Sequence, residues 1–391
     1  MPESAPIPSG RPHSAAFWFG ASRALRSRVK VLPEHARGHN RALVLETLYH
    51  AGPMSRADLA RATGLTRVTV SELVAELIDD AIVRATGMRE VTGPGKPAAL
   101  VDVDRGGHHI VGIDMFASDV FSGALLTLDG EVIVRDTVER PADDDGDATL
   151  AAVLDLAKRL IAASDRPLLG VGIGTQGLVD PDGTVLSSPN HGWHDLPLQR
   201  HASAELGLPV IVRNDANAAA LAEYTFGSGS GDFVLIAIGR GVGAGIVSGG
   251  QLLTGSRFAA GEIGHVVIGT DSGPRCVCGR NGCLEAWVNV VRLTAAIAEA
   301  PEERDRILRD AGERLGIALA PILAALDLSD IVVSGPDELL TDAFFQAVVD
   351  TLQARTLEGV FDDVSVRRTA QTEIVLRGAA VAVLSDQLGI S

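Results

Sequence analysis

Strand-like runs in this chain keep stopping at glycine. "PLLGVGIGTQGLVD", "DFVLIAIGRGVGAGIVSGGQLLTG" and "DLSDIVVSGP" carry β-branched and small apolar residues into glycine turns, and "PVIVRNDANAAALAEYTFG" carries them into Asn-Asp and a helix. Strands this continuously apolar are covered on both faces, as in α/β sheets. The pattern recurs in two halves, which predicts two related lobes. "HHIVGIDM" and "VFSGALLTLDGEVIVRDTVE" read as further strands and hairpins, and "DATLAAVLDLAKRLIAAS" as an amphipathic helix. With 391 residues, 46% of them hydrophobic, the chain is too long for one ordinary core.

The first hundred residues follow a different rule. Residues 1–36 are rich in Ser, Pro, Ala and Arg and read as a flexible arm with a short helical piece around Phe17–Val31. Residues 37–103 read as a winged helix-turn-helix. "NRALVLETLYHAG" is a helix ended by Gly52. Ser55 and Asp58 form a capping-box-like start to a second helix, which Gly64 closes. Thr66 caps a third helix, where Val70, Leu73, Val74, Leu77 and Ile78 make one apolar face. Two strands, around Ile82–Ala85 and Ala98–Val103, flank the basic tip "GMREVTGPGKP". Thr66, Arg67, Thr69 and Ser71 are the candidate DNA contacts on the third helix, and Arg89 and Lys96 those on the wing. A small helical domain that binds no DNA is the alternative.

Charge fits such a division. Residues 1–102 hold 13 Lys and Arg against 10 Asp and Glu, and the remainder 21 against 40. An acidic body would leave any nucleic-acid contact to the head, although acidic surfaces also serve solubility alone. No apolar run reaches the roughly 18 residues of a membrane span, and the N-terminus does not read as a secretory signal. The expectation is a cytoplasmic protein without membrane contact.

Three constellations could carry chemistry. Asn214 and Asp215 stand where a buried strand becomes a helix, and ligands in α/β sheets bind at such carboxyl ends. The helix N-terminus is expected to keep Asp215 ionised, and a carboxylate beside an amide suits a polyhydroxylated ligand. An Asn-Asp cap with no ligand is the alternative. Gly239, Gly241, Gly243 and Gly245 would let a backbone approach a phosphate, or simply form a tight hairpin. The third constellation is "CVCGRNGC", which holds every cysteine of the chain. With His265 upstream, Cys276, Cys278 and Cys283 make a Cys3His set suited to a closed, structural Zn2+; free or redox-active thiols are the alternative. Gly279 and Gly282 would let the loop fold back. A metal there would fix Glu262 and Glu285 near Asn214 and Asp215.

"GEIGH", "CVCGRNGCLEA", "NDANAAALAE" and "GVGAGIVSGGQLLTG", in this order and spacing, resemble the ROK family (repressors, open reading frames, kinases) over essentially residues 40–391. The winged helix resembles that of the family's xylose-, glucose- and N-acetylglucosamine-linked repressors. The resemblance implies an actin-like (ribonuclease H-like) body at 104–391, with one lobe at about 104–220 plus the C-terminal helix and the other at about 221–375. It implies a sugar site of Asn214, Asp215, Glu262, His265 and Glu285, and zinc at His265, Cys276, Cys278 and Cys283, the histidine serving both. Asn190 and Trp193, in "SSPNHGWHD", are candidate cleft-wall contacts.

The departures from the family's kinases lie on the nucleotide side. Their phosphate-binding turn Asp-x-Gly-Gly-Thr is replaced here by Asp114-Met115-Phe116-Ala117-Ser118. Gly-Thr-Gly becomes Gly239-Arg240-Gly241, and a late Gly-Gly becomes Ser334-Gly335-Pro336. Without those phosphate donors most of phosphoryl-transfer catalysis is gone, so no ATP is expected. The expected function is a sugar-responsive transcriptional regulator, a repressor of carbohydrate-metabolism genes rather than an enzyme. Its expected partners are operator DNA, a monosaccharide effector and itself, as homodimer or homotetramer. The alternatives are an ATP-dependent sugar kinase with a DNA-binding head, in which Asp215 is the catalytic base, and a scaffold with no small ligand.

Overall fold

The computed structural model describes residues 33–88, 98–116, 120–141, 145–269, 272–357 and 364–390. The chain divides into two units, residues 1–40 and 41–391. Of the first, only the opening of helix α1 (Pro33–Ala51) is described. The helical piece expected around Phe17–Val31 and the wing residues Arg89 and Lys96 lie outside the described residues. Helix α1 begins at Pro33, earlier than the sequence pattern indicates, because its first turns have no apolar period to reveal them.

The head follows from its caps. Helix α2 (Arg56–Thr63) starts at Ser55, whose hydroxyl accepts from the Asp58 N–H at 3.2 Å while the Asp58 carboxylate accepts from the Ser55 N–H at 3.3 Å. That reciprocal box satisfies two donors a helix end leaves open. Gly64, with φ 73°, ends the helix in the left-handed conformation. Helix α3 (Arg67–Asp79) is capped by Thr66, which accepts from the Thr69 N–H at 3.1 Å. Val70, Leu73, Val74 and Leu77 are buried, whereas Ile78 is 36% exposed. Ile78 lies about 80° round the helix from Val70, at the edge of the stripe. Strands β1 (Met54–Ser55), β2 (Val83–Met88) and β3 (Ala99–Val103) form an antiparallel sheet in the order β1-β3-β2, which completes the winged helix.

The first lobe begins with β4 (His109–Asp114), β5 (Val120–Leu126), β6 (Val132–Glu139), helix α4 (Gly146–Ala162) and β7 (Leu168–Thr175). A small sheet of β8 (Leu178–Val179), β9 (Val185–Ser188) and β10 (Trp193–Leu196) follows, then helix α5 (Leu198–Leu206), β11 (Val210–Asn214) and helix α6 (Asp215–Phe226). The second lobe holds β12 (Phe233–Ile238), β13 (Val242–Ser248), β14 (Gln251–Leu252), helices α7 (Leu284–Val288), α8 (Val290–Glu299) and α9 (Arg304–Leu326), β15 (Asp330–Ser334), helix α10 (Asp342–Arg355) and β16 (Ser365–Arg368). Helix α11 (Ile374–Leu388) comes last.

The main sheets run β11-β7-β4-β5-β6 and β14-β13-β12-β15-β16. Numbered within each lobe, both read 5-4-1-2-3 or its reverse, with strands 1 and 2 antiparallel and 1, 4 and 5 parallel. The glycine turns that recur in sequence therefore belong to one topology used twice.

Helix α11 lies against β4, β7, β11 and α6. The approach is backbone to backbone: a Cβ at Gly378 would sit 1.7 Å from the Ala218 carbonyl oxygen, and one at Gly172 would sit 2.0 Å from that of Ala379. One apolar core joins Leu376, Val383, Leu384, Leu388 and Ile390 to the head's Val44, Leu45, Leu48, Val74 and Leu77. Polar pins reinforce the join. Tyr49 donates its hydroxyl to the Leu128 carbonyl at 2.8 Å, and Arg105 donates to the Tyr49 carbonyl at 2.8 Å while pairing with Asp102 at 3.1 Å. Between the lobes, Arg367 pairs with the buried carboxylates of Glu223 on α6 and Asp330 on β15, both at 2.8 Å.

Candidate functional site: an inter-lobe cleft beside a Cys3His cluster

A cleft of about 100 Å3, partly open to solvent, lies between the lobes and is lined by Asn190, Asn214, Asp215, Glu262, His265 and Glu285. The fold accounts for each of them. Asn214 ends β11 and caps α6, its side-chain oxygen accepting from the Asn217 N–H at 3.0 Å. Its amide donates to the Gly177 carbonyl at 3.0 Å, which fixes the plane of the group. Asn190 is held by donation to Gln176 Oε1 at 2.8 Å. Glu262 and His265 bound a 3-10 turn (Glu262–His265), and Glu285 opens α7, accepting from the Val242 N–H at 3.1 Å.

Trp193 does not line the cleft. Its indole is buried against His191 and donates to the Gly146 carbonyl at 2.9 Å. An aromatic on a short β-strand alternates faces with its neighbours, and this one faces the lobe interior.

The charge state of Asp215 also departs from expectation. Burial above all, then the nearby carboxylates of Asp114 and Glu262, raise it to about 8, against the Ala216 N–H that favours the anion. The helix end is present, but desolvation outweighs it. Asp114 is pushed up to about 6 by burial, and Glu262 is raised by burial and by Glu285. The raised folded value favours the protonated acid, so Asp215 contributes stability below its unfolded pKa and loses that contribution as pH climbs towards about 8. The anion accepts a ligand hydroxyl more strongly than the neutral acid does, so affinity for a hydroxylated ligand is expected to rise from pH 6 to about 8 and then level off. Calorimetry at several pH values checks this; a flat profile, or the same slope in Asp215→Asn, contradicts it.

Of the two readings of the glycine run, the strands form the tight hairpin, with residues 239–241 as the turn between β12 and β13. A Cβ at Gly243 or Gly245 would meet Ala216 or Ala220 of α6, so these two let helix and strand pack. At Gly241 it would meet Glu285 Oε2 at 2.8 Å. At Gly239 it would meet the Phe116 ring at 2.3 Å. The phenyl group of the first-lobe turn thus lies directly on the second-lobe turn.

The thiols converge as the sequence suggests. The ligand atoms of His265, Cys276, Cys278 and Cys283 all lie within 4.8 Å of one another, so the cluster could hold a metal ion. A tetrahedron with bonds of about 2.3 Å to sulfur and about 2.1 Å to nitrogen has edges of about 3.6–3.8 Å. His265 Nδ1 is 3.5 Å from Cys276 Sγ, and Cys278 Sγ is 3.6 Å from Cys283 Sγ. Gly279 and Gly282, at φ 88° and 79°, make the loop's two reversals. Cys276 Sγ also lies 3.5 Å from Glu285 Oε1, so the cluster and the cleft share a wall.

On the head, Thr66, Arg67 and Ser71 are exposed and Thr69 is half-buried. The Thr66 and Thr69 hydroxyls lie 2.9 Å apart, and Ser71 donates to the Arg67 carbonyl. Sequence reasoning passed over Val68, which is 67% exposed in the first turn of α3.

Residues 110–385 match the model of the ROK family. The chain belongs to the ROK family. Residues 39–87 of this ROK protein match the model of the MarR family, so the winged head and the actin-like body both have counterparts. The xylose repressor of Caldicellulosiruptor bescii is 28% identical over 386 residues, covering 89% of this chain and 96% of that one. Among solved structures, a ROK family transcriptional regulator homologous to the Escherichia coli MLC protein superposes with TM-score 0.79 at 26% identity, covering 90% and 98% of the two chains. A ROK glucokinase from Streptomyces griseus, solved with glucose and AMPPNP, gives TM-score 0.62 at 26% identity, covering 70% of this chain and 98% of its own. The repressor-type relatives therefore match head and body, the kinase a smaller share. Among the described residues no helix is long and apolar enough to cross a membrane.

Proposed function

We propose that this ROK protein is a cytoplasmic, sugar-responsive transcriptional repressor of carbohydrate-metabolism genes. Residues 37–103 bind operator DNA and residues 104–391 bind the effector, and the working species is a homodimer or homotetramer. The observation that carries this reading is the single apolar core shared by the head and the first lobe through α1 and α11. A DNA reader joined so directly to a ligand-binding lobe is placed to respond to that lobe.

Asn214, Asp215, Glu262, His265, Glu285 and Asn190 are assigned to the sugar. Their mixture of carboxylates and amides can both accept from and donate to a ring of hydroxyls. Closing the cleft on a sugar would shift the second lobe against the first. A coupling of about 1–3 kcal/mol between sugar and operator is enough for a switch. His265, Cys276, Cys278 and Cys283 are assigned to a structural Zn2+, which when bound would fix the loop carrying Glu262 and Glu285. Phe116 against Gly239 supports a nucleotide site that no longer admits ATP phosphates, and so a regulator rather than a kinase. Thr66, Arg67, Thr69 and Ser71 are assigned to DNA, with Arg89 and Lys96 proposed from sequence alone.

Fluorescence anisotropy on DNA from upstream of its own and neighbouring genes, with a panel of sugars and no ATP at fixed salt, tests the whole reading. Arg67→Ala is expected to weaken operator binding about tenfold or more while sugar binding survives. Asp215→Asn is expected to abolish the sugar response while DNA binding survives. Loss of both functions in both variants would refute the division of labour. Sugar-dependent ATP consumption would restore the kinase alternative.

A further inference from the structure

The outer face of α3 holds two side chains that the DNA assignment above does not use. Val70, Leu73, Val74 and Leu77 are buried and mark the helix's inner line. At about 100° per residue, Val68 stands about 170° from that line, and Glu72 and Ala75 lie within about 40° of Val68. All three are exposed, Val68 by 67%. Val68 belongs to the first turn, the end of such a helix that meets base edges in a major groove. Glu72 comes one turn later and has no hydrogen bond or ion pair among the described residues.

The neighbouring hydroxyls are largely engaged. Ser71 donates to the Arg67 carbonyl at 2.8 Å, and the Thr66 and Thr69 hydroxyls share one proton across 2.9 Å. Hydroxyls held in this way fix the first turn, and with Arg67 they suit the phosphate backbone, where contacts position a reader without telling sequences apart. Sequence discrimination is left to Val68 and Glu72. A lone exposed valine is ordinary on a protein surface, but this one stands at the pole of the face that the helix-turn-helix turns to a groove. Against a thymine C5-methyl group it removes apolar surface from water; against phosphates it removes none. The Glu72 carboxylate is repelled by phosphates, and that repulsion is offset only where it accepts from a base amino group. Adenine sets the N7 acceptor beside its amino group, whereas cytosine presents a donor alone.

We propose that Val68 and Glu72 set the operator specificity, Val68 packing on the C5-methyl group of a thymine and Glu72 accepting from the N4 amino group of a cytosine. The inference rests on the DNA-binding reading above and names the bases that are read. One helical turn separates the two side chains by about 5–6 Å, against about 3.4 Å per base step, so the two bases lie one or two steps apart.

The test begins by selecting binding sites for the full chain from random duplex DNA at fixed salt, with and without the sugar panel. Fluorescence anisotropy then compares the selected site with copies in which each thymine in turn becomes deoxyuridine, which lacks only the methyl group. A second set of copies replaces each C·G pair by T·A. For the unaltered chain, one deoxyuridine per half-site is expected to weaken binding about threefold or more, and one C·G replacement about fivefold or more. The first penalty is expected to vanish in Val68→Ser and the second in Glu72→Ala. Both side chains point away from the head's core, so both variants keep their fold. A penalty that persists in the matching variant would overturn the assignment of that residue. Variants that weaken every duplex alike would overturn the proposal, as would a selected site with no methyl-dependent thymine and no such C·G pair. If no sequence is enriched, the operator-binding reading fails and this inference fails with it.

Discussion

Gly378→Ala is expected to lose about 3 kcal/mol of stability or more. The added methyl would lie 1.7 Å from the Ala218 carbonyl oxygen, which is backbone inside α6 and has no rotamer to change. The two helices would have to separate. α11 is also held by β4 and β7, where a Cβ at Gly112 or Gly172 would lie 2.7 Å or 2.0 Å from the carbonyl oxygens of Leu376 and Ala379. Separation at one place would disturb the others, and with them the apolar core the head shares. Urea denaturation of the variant beside Gly106→Ala makes the measurement, because a Cβ at Gly106 meets nothing within 4 Å. Equal midpoints for the two variants would show that α11 is not seated as described.

On the proposed assignment of the cluster to a metal and the cleft to a sugar, chelation or Cys283→Ala is expected to lower sugar affinity about tenfold or more. Cys283 is fully buried and packs with Cys276 and Ala286. Burial pushes both thiols above their usual range, so without a metal they stay neutral and hold His265 only through weak thiol contacts. The loop would then lose the anchor that places Glu262, His265 and Glu285 together. Operator affinity is expected to stay within about twofold, because the head's core contains none of these residues. Metal content by colorimetric chelator, read beside sugar calorimetry, distinguishes the outcomes. Unchanged sugar affinity in fully metal-free protein would separate the two sites.

Local signals in the sequence were the reliable ones. The Ser55–Asp58 box, the Thr66 cap and the three clustered cysteines depend on neighbours within a few residues, and the chain prints those neighbours in order. What depended on distant partners was misread or left open. Gly243 and Gly245 allow a phosphate cradle or a tight hairpin in sequence, and it takes the pairing of β12 with β13 and the packing of α6 on them to favour the hairpin. Asp215 sits at a helix start, yet Asp114 and Glu262 approach it from segments 101 and 47 residues away and help burial to protonate it. Trp193 stood beside Asn190 in sequence, but strand alternation sent it inward. Ile78 fell at the margin of a stripe whose width only packing fixes.

The shared core also sets the smallest piece of this protein that could be transplanted. Fusing residues 41–104 to another ROK body would leave Val44, Leu45 and Leu48 facing a foreign surface. Their partners Leu384, Leu388 and Ile390 come some 340 positions later in the sequence. A working chimera must carry both ends together, as a module split in sequence and whole in space. Any exchange of operator specificity between such regulators is then a two-segment graft, and substitutions at the far carboxyl end belong to the DNA-binding half.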